Sequence, residues 1–317
     1  MRHQTIAIIG GTGFIGNNLA CELARRNYRI KVISRRRERN RSLLVIPALE
    51  LVEANVHSAA ALSNALRGCD AVVNLVGILN EHDSRGASFE DVHARLPVTI
   101  AEAARFNRIT RILHMSALGA HAAAPSAYLR SKALGEDGAH DQKGMQVTSF
   151  RPSAVFGRRD GLFSMLAGAL RISPYFVPLA CAHSRLAPLY VADLSQAMTK
   201  ALDDSSTYGQ RYDLCGPRTY TLEELANYTA RVLGLRRHVI ALPDALARIQ
   251  AQLMQLIPGS PFTMDSYHSL QIDSVCENNG FEQFGITPTS VESVVPNYLV
   301  GGGNQQFYQT LRETAGR

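Results

Sequence analysis

The stretch Thr5-Ile-Ala-Ile-Ile-Gly-Gly-Thr-Gly-Phe-Ile-Gly16 constrains this chain more than any other. A short apolar run rich in β-branched residues suits a strand buried in a parallel sheet. It runs into Gly10, Gly13 and Gly16, three apart, and then into Asn17-Asn-Leu-Ala-Cys-Glu-Leu-Ala-Arg25, whose apolar residues recur at helical spacing. Strand, glycine turn and helix in that order aim backbone N–H groups and a helix N-terminus at one point, the arrangement a pyrophosphate needs. Gly10 can take the tight turn, Gly13 lets the backbone approach phosphates, and Gly16 lets helix pack close to strand. The segment predicts a dinucleotide site; a glycine turn that only joins strand to helix is the alternative.

The chain has 317 residues and a formal net charge of +6. That length supports a full hydrophobic core in one large domain or two interleaved ones. The charge is mild, and no long basic face interleaved with aromatics points to nucleic acid. Cys21, Cys69, Cys181, Cys215 and Cys276 are scattered with no C-x-x-C pair. The expectation is therefore no disulfide framework, no metal site and a reducing, cytoplasmic compartment. The first apolar run ends in glycines, unlike a signal peptide, and no uncharged run approaches the length of a membrane span.

Strand and helix patterns alternate through the first half. Strands are predicted over 28–34, 49–53, 71–77, 111–116 and 146–151, and helices over 58–66 (with Ser58 as N-cap), 89–106 (with Pro97 as a local objection) and 128–140. Such alternation predicts an α/β fold, a doubly wound parallel sheet of the Rossmann kind. Later come a helix over 191–202, a strand over 211–215, a capping-box start at Thr221-Leu-Glu-Glu224 and a helix over 244–256. Residues 1–156 and 187–216 are expected to form the dinucleotide-binding domain. Residues 157–186 and 217–317 are expected to form a smaller mixed lobe for substrate or partner.

Two signals fall where such sheets bind ligands. In Tyr128-Leu-Arg-Ser-Lys132 the phenol and the ammonium share a helix face, and a nearby cation favours phenolate, lowering the pKa of Tyr128 toward that of a working acid/base. Ser116, ending a strand, can hold a substrate oxygen against Tyr128. At the end of the second strand stand Ser34, Arg35, Arg36 and Arg37, with Arg39 and Arg41 beyond, where an acidic residue would meet ribose hydroxyls. Serine and arginine bind a 2′-phosphate instead, so NADP(H) is expected over NAD(H). A solvated basic loop is the alternative.

These pieces resemble the short-chain dehydrogenase/reductase superfamily in its extended form. The likeness is carried by Gly10-x-x-Gly13-x-x-Gly16, Asn74-Leu-Val-Gly77, Ser116, Tyr128-x-x-x-Lys132, Arg151-Pro-Ser-Ala-Val-Phe-Gly157 and Leu189-Tyr-Val-Ala-Asp193. A narrower likeness, to the nucleotide-binding accessory subunit of mitochondrial respiratory complex I and its bacterial relatives, rests on Val73-Asn-Leu-Val-Gly-Ile78, Ser88-Phe-Glu-Asp-Val92, residues 128–136 and Pro188-Leu-Tyr-Val-Ala-Asp193. The resemblance implies that Gly10, Thr12, Gly13, Phe14, Ile15 and Gly16 contact the pyrophosphate and that Leu75, Val76 and Gly77 line the adenosine and ribose. Lys132 would bind the nicotinamide ribose, Tyr128 would be the acid/base with Ser116 as partner, and Pro152 and Ser153 would lie near the carboxamide. Asn55-Val56 stands where the family usually carries Asp-Val against the adenine. His93 stands near a position where many extended members have Asn, and is expected to be a satisfied interior histidine.

The expected activity is hydride transfer on a carbonyl/alcohol pair of unspecified substrate. The rival is a non-catalytic NADPH-binding structural or assembly protein related to the complex I subunit; relatives alone suggest a role in quinone metabolism. Arg158, Arg159, Asp160, Arg185 and Tyr267 are candidates to face the substrate cleft. The sparsely charged stretch 239–257, with Ile240, Leu242, Leu246, Ile249, Leu253, Leu256 and Ile257, is expected to pack on the sheet domain. Peripheral contact with a membrane or a respiratory complex at the inner membrane face is the competing expectation.

Overall fold

The computed structural model describes residues 4–36, 43–81, 88–255 and 262–300. Seven strands form one parallel sheet: β1 (Thr5–Ile9), β2 (Arg29–Ser34), β3 (Leu49–Glu53), β4 (Ala71–Asn74), β5 (Arg111–Met115), β6 (Gln146–Pro152) and β7 (Arg211–Leu214), in the order β7-β6-β5-β4-β1-β2-β3. Chain order reverses between β1 and β4, so the ligand crevice of a doubly wound sheet opens there. β4 and β5 are buried at every residue, as a sheet covered on both faces requires.

Alternate residues feed two cores. Ile6, Ile8, Leu113 and Met115 join α1 (Phe14–Arg25) and α6 (Val191–Asp203) on one face. Ala7, Ile9 and Ile112 join α2 (Ala59–Ala65), α3 (Leu96–Phe106) and α4 (Ala127–His140) on the other.

Two predicted elements differ in instructive ways. β4 stops at Asn74, because its side-chain oxygen accepts from Val76 N–H at 3.1 Å and turns the chain out of the sheet. The helix expected over 89–106 starts as a π-helical turn, Glu90–Arg95, and becomes α3 at Leu96. Pro97 then falls in the first α-turn, where a missing N–H costs nothing. Gly135 of α4 crosses this π-turn so closely that a Cβ would stand 1.7 Å from the His93 carbonyl oxygen.

The remaining elements build a second layer of structure. They are α5 (Leu162–Ile172), α7 (Leu222–Val232), α8 (Asp244–Gln255), α9 (Met264–Ser269) and α10 (Val291–Leu299), with short two-stranded ribbons. The predicted capping box is present, with Glu224 N–H donating to Thr221 Oγ1 at 3.1 Å and Thr221 N–H donating to Glu224 Oε2 at 2.8 Å. Phe156, Phe163, Leu225 and Val295 centre a separate core.

The cysteine expectation is corrected. Cys215, just past β7, is disulfide-bonded to Cys276 across 61 residues, with Cα atoms 5.9 Å apart. Asn279 brackets the bond by donating to the Cys215 carbonyl at 2.8 Å. Sequence spacing could not reveal the pair, because the fold brings the loop at 276 to the sheet edge. The bond also removes the ground for inferring a reducing compartment. Among the described residues, no helix is long and apolar enough to cross a membrane.

Candidate functional site

The glycine turn after β1 is shaped by contacts that no side chain could share. Gly10 sits at φ +81°, and a Cβ there would lie 2.9 Å from the Leu75 carbonyl carbon. A Cβ on Gly16 would lie 2.4 Å from Gly11 Cα. Gly13 differs: its nearest neighbour would be the Gly10 oxygen at 3.4 Å, and both it and Thr12 are exposed. Gly13 is also the N-cap of α1, with no side-chain cap and no acid in the first turn. Phe14 and Ile15 are half-buried, the Phe14 ring resting against Gly157. A cradle that a Cβ would fill, below an open helix N-terminus, fits a pyrophosphate.

At the end of β2, Ser34 Oγ accepts from Arg36 N–H at 3.4 Å, and Arg35 and Arg36 are exposed. Arg37, Arg39 and Arg41 lie outside the described residues. The register sets Glu53 beside Ser34, bringing a carboxylate to this basic rim. Asn55 is exposed and accepts from His57 N–H at 3.1 Å, whereas the Val56 side chain belongs to the core.

The segment after β4 passes in front of the turn, with Leu75 N–H donating to Ile9 O at 2.9 Å. Leu75 and Val76 are half-buried and Gly77 is exposed. Ile78 N–H donates to His93 Nε2 at 3.0 Å, so the imidazole proton sits on Nδ1, 2.9 Å from Ser131 Oγ. Ser131 Oγ in turn donates to the Tyr128 carbonyl at 2.7 Å. The His93 ring meets the Tyr128 ring edge-on at 5.4 Å. Burial first, and then the Lys132 charge, lower the pKa of His93 to about 3. It is a satisfied interior histidine, and it also ties the loop after β4 to the helix of Tyr128.

Ser126 caps α4, accepting from Leu129 N–H at 3.2 Å. Asp265 of α9 adds a second cap, accepting from Ala127 N–H at 2.6 Å and Tyr128 N–H at 3.0 Å. Tyr128 and Ile272 both pack against the cluster of Ala117, Ala124 and Leu129. Burial, and then the Asp265 charge, push its phenol up to about 12. The expectation that Lys132 lowers this pKa is thereby corrected: Lys132 Nζ donates to the Met115 carbonyl at 2.5 Å, and burial brings its own pKa down to about 8. Ser116 is buried, and its Oγ has no hydrogen-bond partner. Lys132 bonded at Met115 and Tyr128 packed at Ala117 bracket that hydroxyl at the carboxyl end of β5.

The other candidates have these surroundings. Pro152 O accepts from Leu118 N–H at 3.0 Å, and Ser153 Oγ donates to the Ser274 carbonyl at 2.7 Å. Asp160 is buried and accepts from Tyr298 Oη at 2.8 Å and Ser164 N–H at 3.1 Å. Tyr267 is buried against Asp244 and Arg248, and Arg185 pairs with Asp273 at 3.7 Å. Arg158 and Arg159 are exposed. Asp265 and Ser131 were not singled out by sequence. Asp265 lies 137 residues from its partner Tyr128, and no local pattern marks it.

Residues 6–215 match the profile described as "NAD dependent epimerase/dehydratase family". The chain is 25% identical over 313 residues to the mitochondrial NADH-ubiquinone oxidoreductase 40 kDa subunit of Neurospora crassa, covering 96% of this chain and 81% of that one. It is 30% identical over 250 residues to the ceramide reductase of Caulobacter vibrioides, covering 75% and 74%. Its fold is similar to the NADPH-dependent quinone oxidoreductase QOR2 of Escherichia coli, solved with NADPH: TM-score 0.73, 20% identity, 92% of this chain and 98% of that one. With the match spanning most of the described sheet and the glycine turn, the chain belongs to the NAD dependent epimerase/dehydratase family.

Proposed function

We propose that the chain binds NADP(H) on the Gly10–Gly16 turn and reduces a carbonyl, or oxidises the matching alcohol, at the carboxyl end of β5. The observation that carries this reading is the buried, unpartnered hydroxyl of Ser116, set between the anchor of Lys132 and the packing of Tyr128. An orphaned buried hydroxyl costs about 1–3 kcal/mol, which a bound substrate oxygen would recover. Arg35 and Arg36 would meet the 2′-phosphate, Leu75, Val76 and Gly77 the adenosine and ribose, and Lys132 the nicotinamide ribose. NADPH, when bound, would supply the hydride. Ser116 would orient the substrate's carbonyl oxygen and Tyr128 would donate its proton to that oxygen as the alcohol forms. A phenol held protonated suits the reductive direction. The division of labour read from sequence, a nucleotide domain of 1–156 and 187–216 and a substrate lobe of 157–186 and 217–317, belongs to this proposal.

A second reading is favoured by the bond of Asp265 to the Tyr128 N–H and by Ile272 packing against the same cluster as Tyr128, and by the likeness to a respiratory complex subunit. In it the nucleotide is held without turnover, by a cytoplasmic protein in contact with a respiratory complex at the inner membrane face. A quinone substrate is the variant of the first reading that the likeness to QOR2 suggests.

Titration of wild type, Arg35→Ala and Arg36→Ala with NADPH and NADH tests the cofactor. The expected loss is about 1.5–3 kcal/mol for NADPH alone; equal losses for both nucleotides refute the phosphate role. Tyr128→Phe is expected to abolish turnover of ketone or quinone substrates while keeping nucleotide affinity. NADPH bound tightly, with no turnover by wild type on such a panel, favours the second reading.

A further inference from the structure

Helix α8 is built inside out. Its small residues Ala247 and Ala251 are buried in a cluster with Ala180 and Tyr267, while Leu246, Ile249 and Leu253 stand half or more exposed. The expectation that this stretch packs on the sheet domain is thus corrected for these three side chains; Leu256 and Ile257 lie outside the described residues. A second apolar surface precedes it in the chain. In the ribbon of Phe176–Leu179 with His238–Ala241, the pairs Phe176/His238 and Pro178/Ile240 are exposed on one face. Ile172 and Tyr175, just before it, are 86% and 69% exposed. The ribbon runs into α8 through Leu242, whose N–H donates to Leu179 O at 3.0 Å.

The charge around these surfaces is predominantly positive. Over residues 161–192 and 225–264 the sequence carries a single carboxylate, Asp244, against Arg171, Arg231, Arg236, Arg237, Arg248 and Arg185, the last paired with Asp273 at 3.7 Å. Asp244 is held by Arg248 at 3.0 Å. Arg231, Arg236 and Arg237 line a cleft of about 400 Å³ beside the ribbon. Glu224 and Glu292 also line that cleft, accepting from Thr221 N–H and Tyr220 Oη at 2.8 Å each, and with Arg218 its arginines still outnumber its carboxylates.

We propose that this face docks on an anionic phospholipid bilayer, its apolar side chains at the headgroup boundary and its arginines toward the phosphodiesters. Outward-standing apolar side chains flanked by cations are the signature of interfacial attachment. A second copy of the chain fits poorly, because two such faces would bring like-charged arginines together. With no described helix fit to span a bilayer, the attachment is peripheral. The inference is independent of nucleotide binding.

Co-sedimentation with vesicles of phosphatidylcholine, with or without about one-third phosphatidylglycerol, tests it. Wild type is expected to pellet with the anionic vesicles only, and less so as salt rises. Phe176→Glu/Leu253→Glu, at exposed positions and checked for an unchanged melting curve, is expected to lose binding about tenfold or more. Arg231→Gln/Arg236→Gln is expected to lose roughly fivefold per arginine. Three results would overturn the proposal: no preference for anionic vesicles, full binding by the Phe176→Glu/Leu253→Glu variant, or a wild-type dimer that this variant dissolves.

Discussion

Gly16 and Tyr128 stand on helices that flank the same crevice, and they are fixed by opposite means. Around Gly16 everything is local: a Cβ would strike Gly11 Cα at 2.4 Å, and the turn closes through Gly13 N–H to Gly10 O at 3.1 Å. Around Tyr128 the local cap of Ser126 is joined by contacts from afar. Asp265 caps its helix, Ile272 packs against the same cluster, and His93 reaches it through Ser131. The glycine-turn end is therefore shaped by exclusion of side chains, whereas the Tyr128 end is held by α9 and the π-turn at His93. Substitutions in the lobe should disturb Tyr128 without touching the glycine turn.

The largest effect expected is loss of the Cys215–Cys276 bond, which ties the lobe segment at 276 to the sheet edge. Cys276→Ser, or reduction by dithiothreitol, should lower stability by about 2–4 kcal/mol in urea denaturation. An unchanged midpoint would show that the lobe is held without it. Gly16→Ala comes next, at about 3 kcal/mol, because backbone rather than a side chain must move. Near-wild-type stability for Gly16→Ala would remove the contrast between the two ends.

Acid should strike the Tyr128 end. His93 titrates near its ordinary 6.5 when unfolded but only near about 3 in the fold. Between those values the unfolded chain binds the extra proton, so stability falls as pH falls, by up to about 1.4 kcal/mol per unit. His114 and His140 are lowered by burial too. Denaturation of His93→Gln from pH 7 to 4 isolates one share, and an unaltered slope would contradict the assignment. The smallest effect is the cap: Asp265→Ala should cost about 1 kcal/mol. Asp265→Asn should bring the Tyr128 phenol only part of the way down, since burial is the larger cause of its raised pKa. Ultraviolet titration against a Tyr128→Phe background measures that shift.

The same contrast explains what sequence could reveal. The parallel sheet, the glycine turn, the Ser58 cap and the capping box at Thr221 were legible because each is written in contiguous residues. The π-turn was not, because it depends on Gly135 meeting His93 from another helix. The electrostatics of Tyr128 and Lys132 were not legible, because the charge that raises the phenol's pKa comes from Asp265 and the Lys132 ammonium donates to the Met115 carbonyl. The disulfide and the inverted α8 were hidden for the same reason: pairing and exposure are properties of the folded neighbours.

The open position at Gly13 is proposed to seat a dinucleotide pyrophosphate. Calorimetric titration with NADPH of wild type and Gly13→Ala tests it most directly, since the new Cβ meets only the Gly10 oxygen, at 3.4 Å. Wild type is expected to show saturable one-site binding, and Gly13→Ala to melt like wild type yet bind about tenfold more weakly or worse. Equal affinity in the two proteins, or no binding by wild type, would contradict it.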